Sequence, residues 1–219
     1  MKKYPKGNPS DWIRRAVGPG DVVIDGGANM GGFTIAAAET VGPSGRVYAV
    51  EPDPRCADTL RGLEKRFPQV TFIPAALVSS PGRVLLHQAK NTEQSSLVHG
   101  AVSDRIGEIE VDGITLDSLT TKRVKAVKLD LQGGESEALH GAPMVAAGKP
   151  SWCVELWPHA MRQRGIPMAH WILGLFRGTD YRARTMADGY PETTYEELLA
   201  WCLDEKHPEY QHINALFTA

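Results

Sequence analysis

The residues with the clearest chemical potential sit in one short stretch, Val22-Val23-Ile24-Asp25-Gly26-Gly27-Ala28-Asn29-Met30-Gly31-Gly32. An apolar run feeding an acid and then glycines describes a strand that turns into a helix where backbone can approach a ligand closely. A dinucleotide site needs the spacing G-x-G-x-x-G, so that a pyrophosphate rests on the helix N-terminus. With Gly26 as the first glycine the second position is Ala28, and with Gly27 it is Asn29, so neither register fits. Asp25 at the strand end would repel a pyrophosphate and attract a cation. S-adenosylmethionine carries an ammonium and a sulfonium, and the pattern Asp25-x-Gly27-x-Asn29-x-Gly31 suits its methionine end. Asn in place of a middle glycine is acceptable because Asn tolerates left-handed backbone. A second acid, Glu51, followed by Pro52, ends the next apolar run Val47–Val50, where a carboxylate can accept from both hydroxyls of a ribose.

The elements that must position these residues follow from the pattern of apolar runs. Val22–Ile24, Arg46–Val50 and Val70–Ile73 read as strands, with helices over Phe33–Val41 and Pro54–Arg66 between them. This βαβαβ order implies parallel strands, right-handed crossovers and an α/β sheet. Gly82–His87 and Glu108–Val111 read as strands without a helical crossover, hence a small antiparallel insertion beside the main sheet. Val124–Leu131 gives a further buried strand and Glu135–His140 a short helix ended by Gly141. Trp152–Leu156 gives a fifth strand, and Ile213–Phe217 a closing edge strand. Trp171, Ile172, Leu175 and Phe176 have helical spacing and read as core.

The set DGGANMGGFT, VYAVEPDP, NTEQSSL, ITLDSL, VKLDLQGGESEALHGA and WCVEL, in that order over roughly residues 18–157, resembles the FkbM-type family of S-adenosylmethionine-dependent methyltransferases. The resemblance implies the class I (Rossmann-like) fold: a mainly parallel seven-stranded sheet flanked by helices, with one antiparallel strand near the C-terminus. It also implies methyl transfer, commonly to hydroxyl oxygens of sugars and other natural products. Where the family often carries a polar side chain toward adenine, this chain has Pro74-Ala75-Ala76-Leu77, which leaves backbone near Ala76 for that contact. The polar loop Asn91–Ser96 resembles the family's own motif and either borders the ligand or is a solvated hairpin loop.

Methyl transfer to a hydroxyl needs donor and acceptor held in line and a base for the proton. That base is expected at the carboxyl ends of the fourth and fifth main strands. Asp130, in Lys128-Leu129-Asp130, is the first candidate, and it also belongs to the cofactor set. Glu155 and Glu135 complete a carboxylate cluster, although Glu135 also suits a helix N-terminus. His159 is either a partner of that cluster or a solvated loop histidine. Together these four could hold a divalent cation, but nothing in their spacing requires a metal.

At 219 residues with 42% apolar side chains, the chain reads as one domain over 1–219. A net charge of -2 argues against nucleic-acid partners, and no run reaches the roughly 20 apolar residues of a membrane span. Cys56, Cys153 and Cys202 are far apart and form no CxxC pair, which suits free thiols in the cytoplasm. The acceptor, a small molecule or sugar, is expected to meet residues 1–15, 88–107 and 157–190. Attack by nitrogen, an NAD-dependent oxidoreductase on a similar sheet, and a catalytically silent cofactor-binding protein are the alternatives.

Overall fold

The computed structural model describes residues 8–165, 167–186, 190–208 and 211–219. After α1 (Pro9–Ala16), the chain alternates β1 (Val22–Gly26), α2 (Gly32–Val41), β2 (Arg46–Val50), α3 (Ala57–Arg66) and β3 (Val70–Ile73). Then come β4 (Ala76–Leu77), β5 (Gly82–Ala89) and β6 (Arg105–Ile114), followed by β7 (Ala126–Leu129), α4 (Glu135–His140), α5 (Pro143–Ala147) and β8 (Ser151–Leu156). The chain ends with α6 (Pro158–Arg164), α7 (Pro167–Phe176), β9 (Arg182–Thr185), α8 (Tyr195–Leu203) and β10 (Ile213–Thr218).

The main sheet has the order β3-β2-β1-β7-β8-β10-β9, and every neighbouring pair from β3 to β8 is parallel. β1 and β7 are buried along their whole length, as strands covered on both faces must be. Alternation along β1 divides the core between those faces. Val22 and Ile24 pack with Leu139, Ile172 and Leu198 from α4, α7 and α8, whereas Val23 packs with Ile13, Ala37 and Leu60 from α1, α2 and α3. The strand order runs outward in both directions from β1 and β7. The crevice at their carboxyl ends is therefore the topological switch point, where open α/β sheets bind ligands.

β10 runs antiparallel to both β8 and β9, so it lies inside the sheet, and β9 forms the edge in its place. The alternating polar run Arg182-Ala183-Arg184-Thr185 hides that strand from an apolar-run criterion. The second sheet, β4-β6-β5, pairs β5 antiparallel with β6 and closes over Ala76, Val78, Leu86 and Val111. In α7, Ile172 and Phe176 are buried, but Leu175 is 42% exposed, one position off the buried stripe.

Candidate functional site

A cavity of about 700 Å³ opens at the switch point, a size suited to a small organic ligand. Its wall begins with the loop after β1. Gly27 has φ +75°, and a Cβ there would lie 1.9 Å from the carbonyl oxygen of Asp130, so only glycine lets the ends of β1 and β7 approach this closely. Asn29 adopts φ 46°, the left-handed conformation expected of it. Its side-chain oxygen accepts from Thr92 Oγ1 at 2.9 Å and from the Cys56 thiol at 3.3 Å. Gly31, at φ 82°, caps α2 and packs against Leu63 outside the cavity lining.

Glu51 lies on the cavity wall beside Pro52. Its two oxygens accept the backbone N–H groups of Asn29 and Asp53, at 2.8 and 2.9 Å. Burial pushes its pKa up to about 7 against the pull of those hydrogen bonds.

Asp25 is wholly buried behind the loop and does not line the cavity. It accepts from Thr34 Oγ1 at 2.6 Å, and Lys128 Nζ stands 3.3 Å away. Lys128 also donates to the Gly27 carbonyl at 3.0 Å, so the pair braces the loop from beneath. Burial alone would lower the Lys128 pKa, but Asp25 and then Asp130 hold it above the ordinary lysine value. With Asp25 paired in this way, any preference of the cavity for cations must rest on the other acids that line it, chiefly Asp130 with Glu51 and Glu93.

Asp130 and Glu155 meet at the cavity floor. Gln132 donates to both, at 2.8 and 2.9 Å, from a backbone held at φ 52°. Strained backbone in a binding cleft is maintained by its surroundings, here by this paired hydrogen bonding. Burial would raise the Asp130 pKa, but Lys128, 3.6 Å away, and a hydrogen bond from Glu155 hold it below the usual aspartate value. Burial and the charge of Asp130 push Glu155 well above its ordinary range. The two shifts are opposed: of the pair, Glu155 is the group that holds a proton more readily and Asp130 the one that ionises more readily.

Glu135 faces away from the cavity, accepting the N–H groups of Leu131 at 2.7 Å and Gly133 at 3.3 Å; burial raises its pKa to about 7. Its place is the turn that presents Gln132. His159 lies in α6 with its ring 5.7 Å from that of Trp157, also outside the lining. Among the described residues, no group of three or more His, Cys, Asp or Glu side chains is arranged to hold a metal ion.

Ala76 lies in the wall with Ala75 and Leu77, and residues 92–97 form the opposite rim. That rim is latched to β2: Asp53 accepts from Arg55, Ser95 and Gln88. Asn8, Pro9, Ser10 and Trp157 also line the cavity, which brings parts of the three expected acceptor segments together. Residues 1–7, 166 and 187–189 of those segments lie outside the described residues. Sequence reasoning missed Lys128, Gln132 and His212. Gln132 could have been suspected from the Gln-Gly-Gly turn, but His212 carries no local signal.

A seven-stranded sheet with β10 reversed, a ligand cavity at the switch point and an acid at the end of β2 define the class I methyltransferase fold. Within that class, a family model described as the methyltransferase FkbM domain matches residues 25–155, and the chain belongs to this family of S-adenosylmethionine-dependent methyltransferases. The crystal structure of methyltransferase FkbM from Methylobacillus flagellatus is similar, with a TM-score of 0.57 and 14% identity over 95% of this chain. This chain spans 50% of that protein's length. A Streptococcus mutans protein assigned as a methyltransferase and solved with SAH (S-adenosylhomocysteine) has a TM-score of 0.51 and 9% identity, covering 95% of this chain and 93% of its own. An rRNA methylase from Streptococcus thermophilus has a TM-score of 0.51 and 11% identity, covering 100% and 98%. At these identities the likeness establishes the fold. No curated protein matches the chain.

Proposed function

We propose that this protein methylates a hydroxyl oxygen of a small molecule or sugar, with S-adenosylmethionine as donor. The observation that carries this reading is the division of labour across one cavity: Glu51 at the end of β2, and an anionic Asp130 held by Lys128 at the end of β7. Two strand spacings separate those ends, about 10 Å, enough for a nucleoside on one side and a reacting centre on the other. When bound, S-adenosylmethionine supplies a methyl group on a sulfonium centre. Glu51 accepts from the ribose hydroxyls, Gly27 and Asn29 present backbone to the methionine end, and Pro52 and Ala76 flank the nucleoside. Asp130 takes the proton of the acceptor hydroxyl.

An anionic base favours oxygen over nitrogen as the attacking atom, because a neutral amine needs no deprotonation before attack. The acidic lining opposes nucleic-acid backbones, whose recognition requires Lys and Arg. No described helix is long and apolar enough to cross a membrane, and three separate buried thiols suit a cytoplasmic setting.

Calorimetric titration with S-adenosylhomocysteine, and with NAD in a parallel cell, tests the reading. One-to-one binding of the first and none of the second is expected. Binding of NAD alone would overturn it in favour of an oxidoreductase.

A further inference from the structure

We propose that Ser96 is a positioning residue for methyl transfer, holding in place, through Gln132, the amide that bridges Asp130 and Glu155. The turn that presents this amide is costly to hold. The Gly134 N–H closes it on the Leu131 carbonyl at 3.1 Å, and both central residues have positive φ, 52° at Gln132 and 94° at Gly133. Glycine adopts that backbone freely, but glutamine resists it. A return of Gln132 to negative φ would re-aim its side chain away from the carboxyl groups. Two side chains oppose that return. Ser96 Oγ donates to the Gln132 carbonyl at 2.6 Å, and Glu135 accepts the N–H of the same peptide unit, that of Gly133, at 3.3 Å.

The serine is itself fixed. Its N–H and carbonyl pair with the backbone of His87 on β5, at 3.0 and 2.9 Å, and its hydroxyl oxygen accepts the Val98 N–H at 2.9 Å. Ser96 is 1% exposed, so water offers its hydroxyl no competing partner. The same rim is tied to the other half of the cavity, where Thr92 donates to Asn29 and Ser95 to Asp53. The rim therefore spans both halves, and Ser96 is where it reaches the carboxyl pair. The role rests on the methyl-transfer reading, in which Asp130 takes the acceptor proton. Gln132 Nε2 donates to Asp130 Oδ1 and to Glu155 Oε2, so both amide hydrogens are committed to the pair. Such donation favours the ionised carboxyl form and fixes where the oxygens point, which sets the base before the acceptor arrives. Without the Ser96 hydroxyl the turn loses an anchor and the amide bridge loosens.

The test is a carbon NMR titration of the Asp130 and Glu155 carboxyl groups in isotope-labelled full-length protein. Lys128 on β7 with Asp25 behind it, Glu135 on α4, the Cys153 thiol on β8 and His212, whose Nε2 lies 3.3 Å from Glu155 Oε1, also face the pair. Every variant leaves these groups in place, so each midpoint is read as a difference from wild type. Ser96→Ala is expected to raise the upper midpoint of the pair by about half a pH unit, about a threefold gain in proton affinity, as donation to the ionised form weakens. In a Gln132→Ala background the same change is expected to move it by much less, because the connecting amide is gone. An unchanged midpoint, or an equal rise in both backgrounds, would overturn the proposal. Calorimetry with S-adenosylhomocysteine is expected to give a near wild-type affinity for Ser96→Ala, and its collapse would mean lost structure rather than lost positioning. Should Ser96→Ala not fold, Ser96→Cys carries the reading. Its thiol is a weaker donor, so a smaller rise in the same direction is expected, and no rise would overturn the proposal. If the wild-type protein bound no S-adenosylhomocysteine, the methyl-transfer reading would fail; the same titrations on the free protein would still decide whether Ser96 sets the pair through Gln132.

Discussion

At the scale of single residues, the site is built from carboxyl groups whose protons are set by burial and by one lysine. Glu51 illustrates the consequence for ligand binding. Burial raises its pKa to about 7, with Asp53, Lys128, Arg55 and Cys56 as charged or titratable neighbours. Ribose hydroxyls donate best to the ionised form, so binding favours loss of the proton. Affinity for S-adenosylhomocysteine is therefore expected to rise with pH up to about 7 and level off above it, approaching tenfold per pH unit on the acid side. Calorimetry between pH 5.5 and 8.5 reads this directly, and in Glu51→Gln the profile should flatten at weaker affinity. A flat profile in the wild type would remove Glu51 from the ribose. Lys128 gives a second residue-level prediction. Lys128→Met strips Asp25 of its buried cation and, among the described residues, leaves it the Thr34 hydroxyl. Breaking a buried pair this way typically costs about 3–5 kcal/mol, which urea unfolding would show as a clearly lower midpoint.

At the scale of elements, the loop after β1 depends on how closely β1 and β7 approach. In Gly27→Ala the added carbon would fall on the Asp130 carbonyl, in a backbone conformation that alanine resists. The variant is expected to lose stability by more than about 2 kcal/mol and to bind S-adenosylhomocysteine at least tenfold more weakly. Near-normal affinity in a well-folded Gly27→Ala protein would show that the loop can shift without consequence. Gly27 was legible in the sequence because glycine at a strand-to-helix turn is a local signal. Glu51 and Asp130 were legible for a similar reason: each ends an apolar strand. The strands β1, β2, β3, β7 and β8 announced themselves as short, mostly apolar runs, and of these β1 and β7 are buried on both faces. What the sequence hid depends on distant pairing. Asp25 and Lys128 are 103 positions apart, and neither shows locally that it neutralises the other. His212 reaches Glu155 only because β10 returns antiparallel inside the sheet, and a run such as Ile213–Phe217 looks the same whether it is interior or edge. β9 escaped because an edge strand can alternate arginine with small residues and still pair.

At the scale of the whole molecule, the concentration of buried acids makes stability depend on pH. Glu51 and Glu135 each have a pKa of about 7, and Glu155 lies well above its ordinary value. A carboxyl whose pKa is raised by folding binds its proton more tightly in the native state. Its contribution to stability is therefore complete below the unfolded value of 4.5 and is lost as pH rises through the folded one. Asp53 and Asp130 have lowered values, so their contributions hold above the ordinary aspartate range and disappear only in stronger acid. Lys128, raised by Asp25 and Asp130, loses its contribution only in strong alkali. Between pH 5 and 7.5 the raised glutamates dominate, and the ligand-free protein is expected to become less stable across that interval, by a few kcal/mol at most. Urea midpoints at the two pH values measure the difference, and equal or higher stability at pH 7.5 would contradict it. Saturating S-adenosylhomocysteine should narrow the gap, since a ligand that prefers ionised Glu51 stabilises the native state most where the free protein is weakest. The cost of holding Glu51 and Glu155 in their proton-bound forms thus falls on the cavity lining, where a ligand that pairs with ionised Glu51 is expected to relieve part of it.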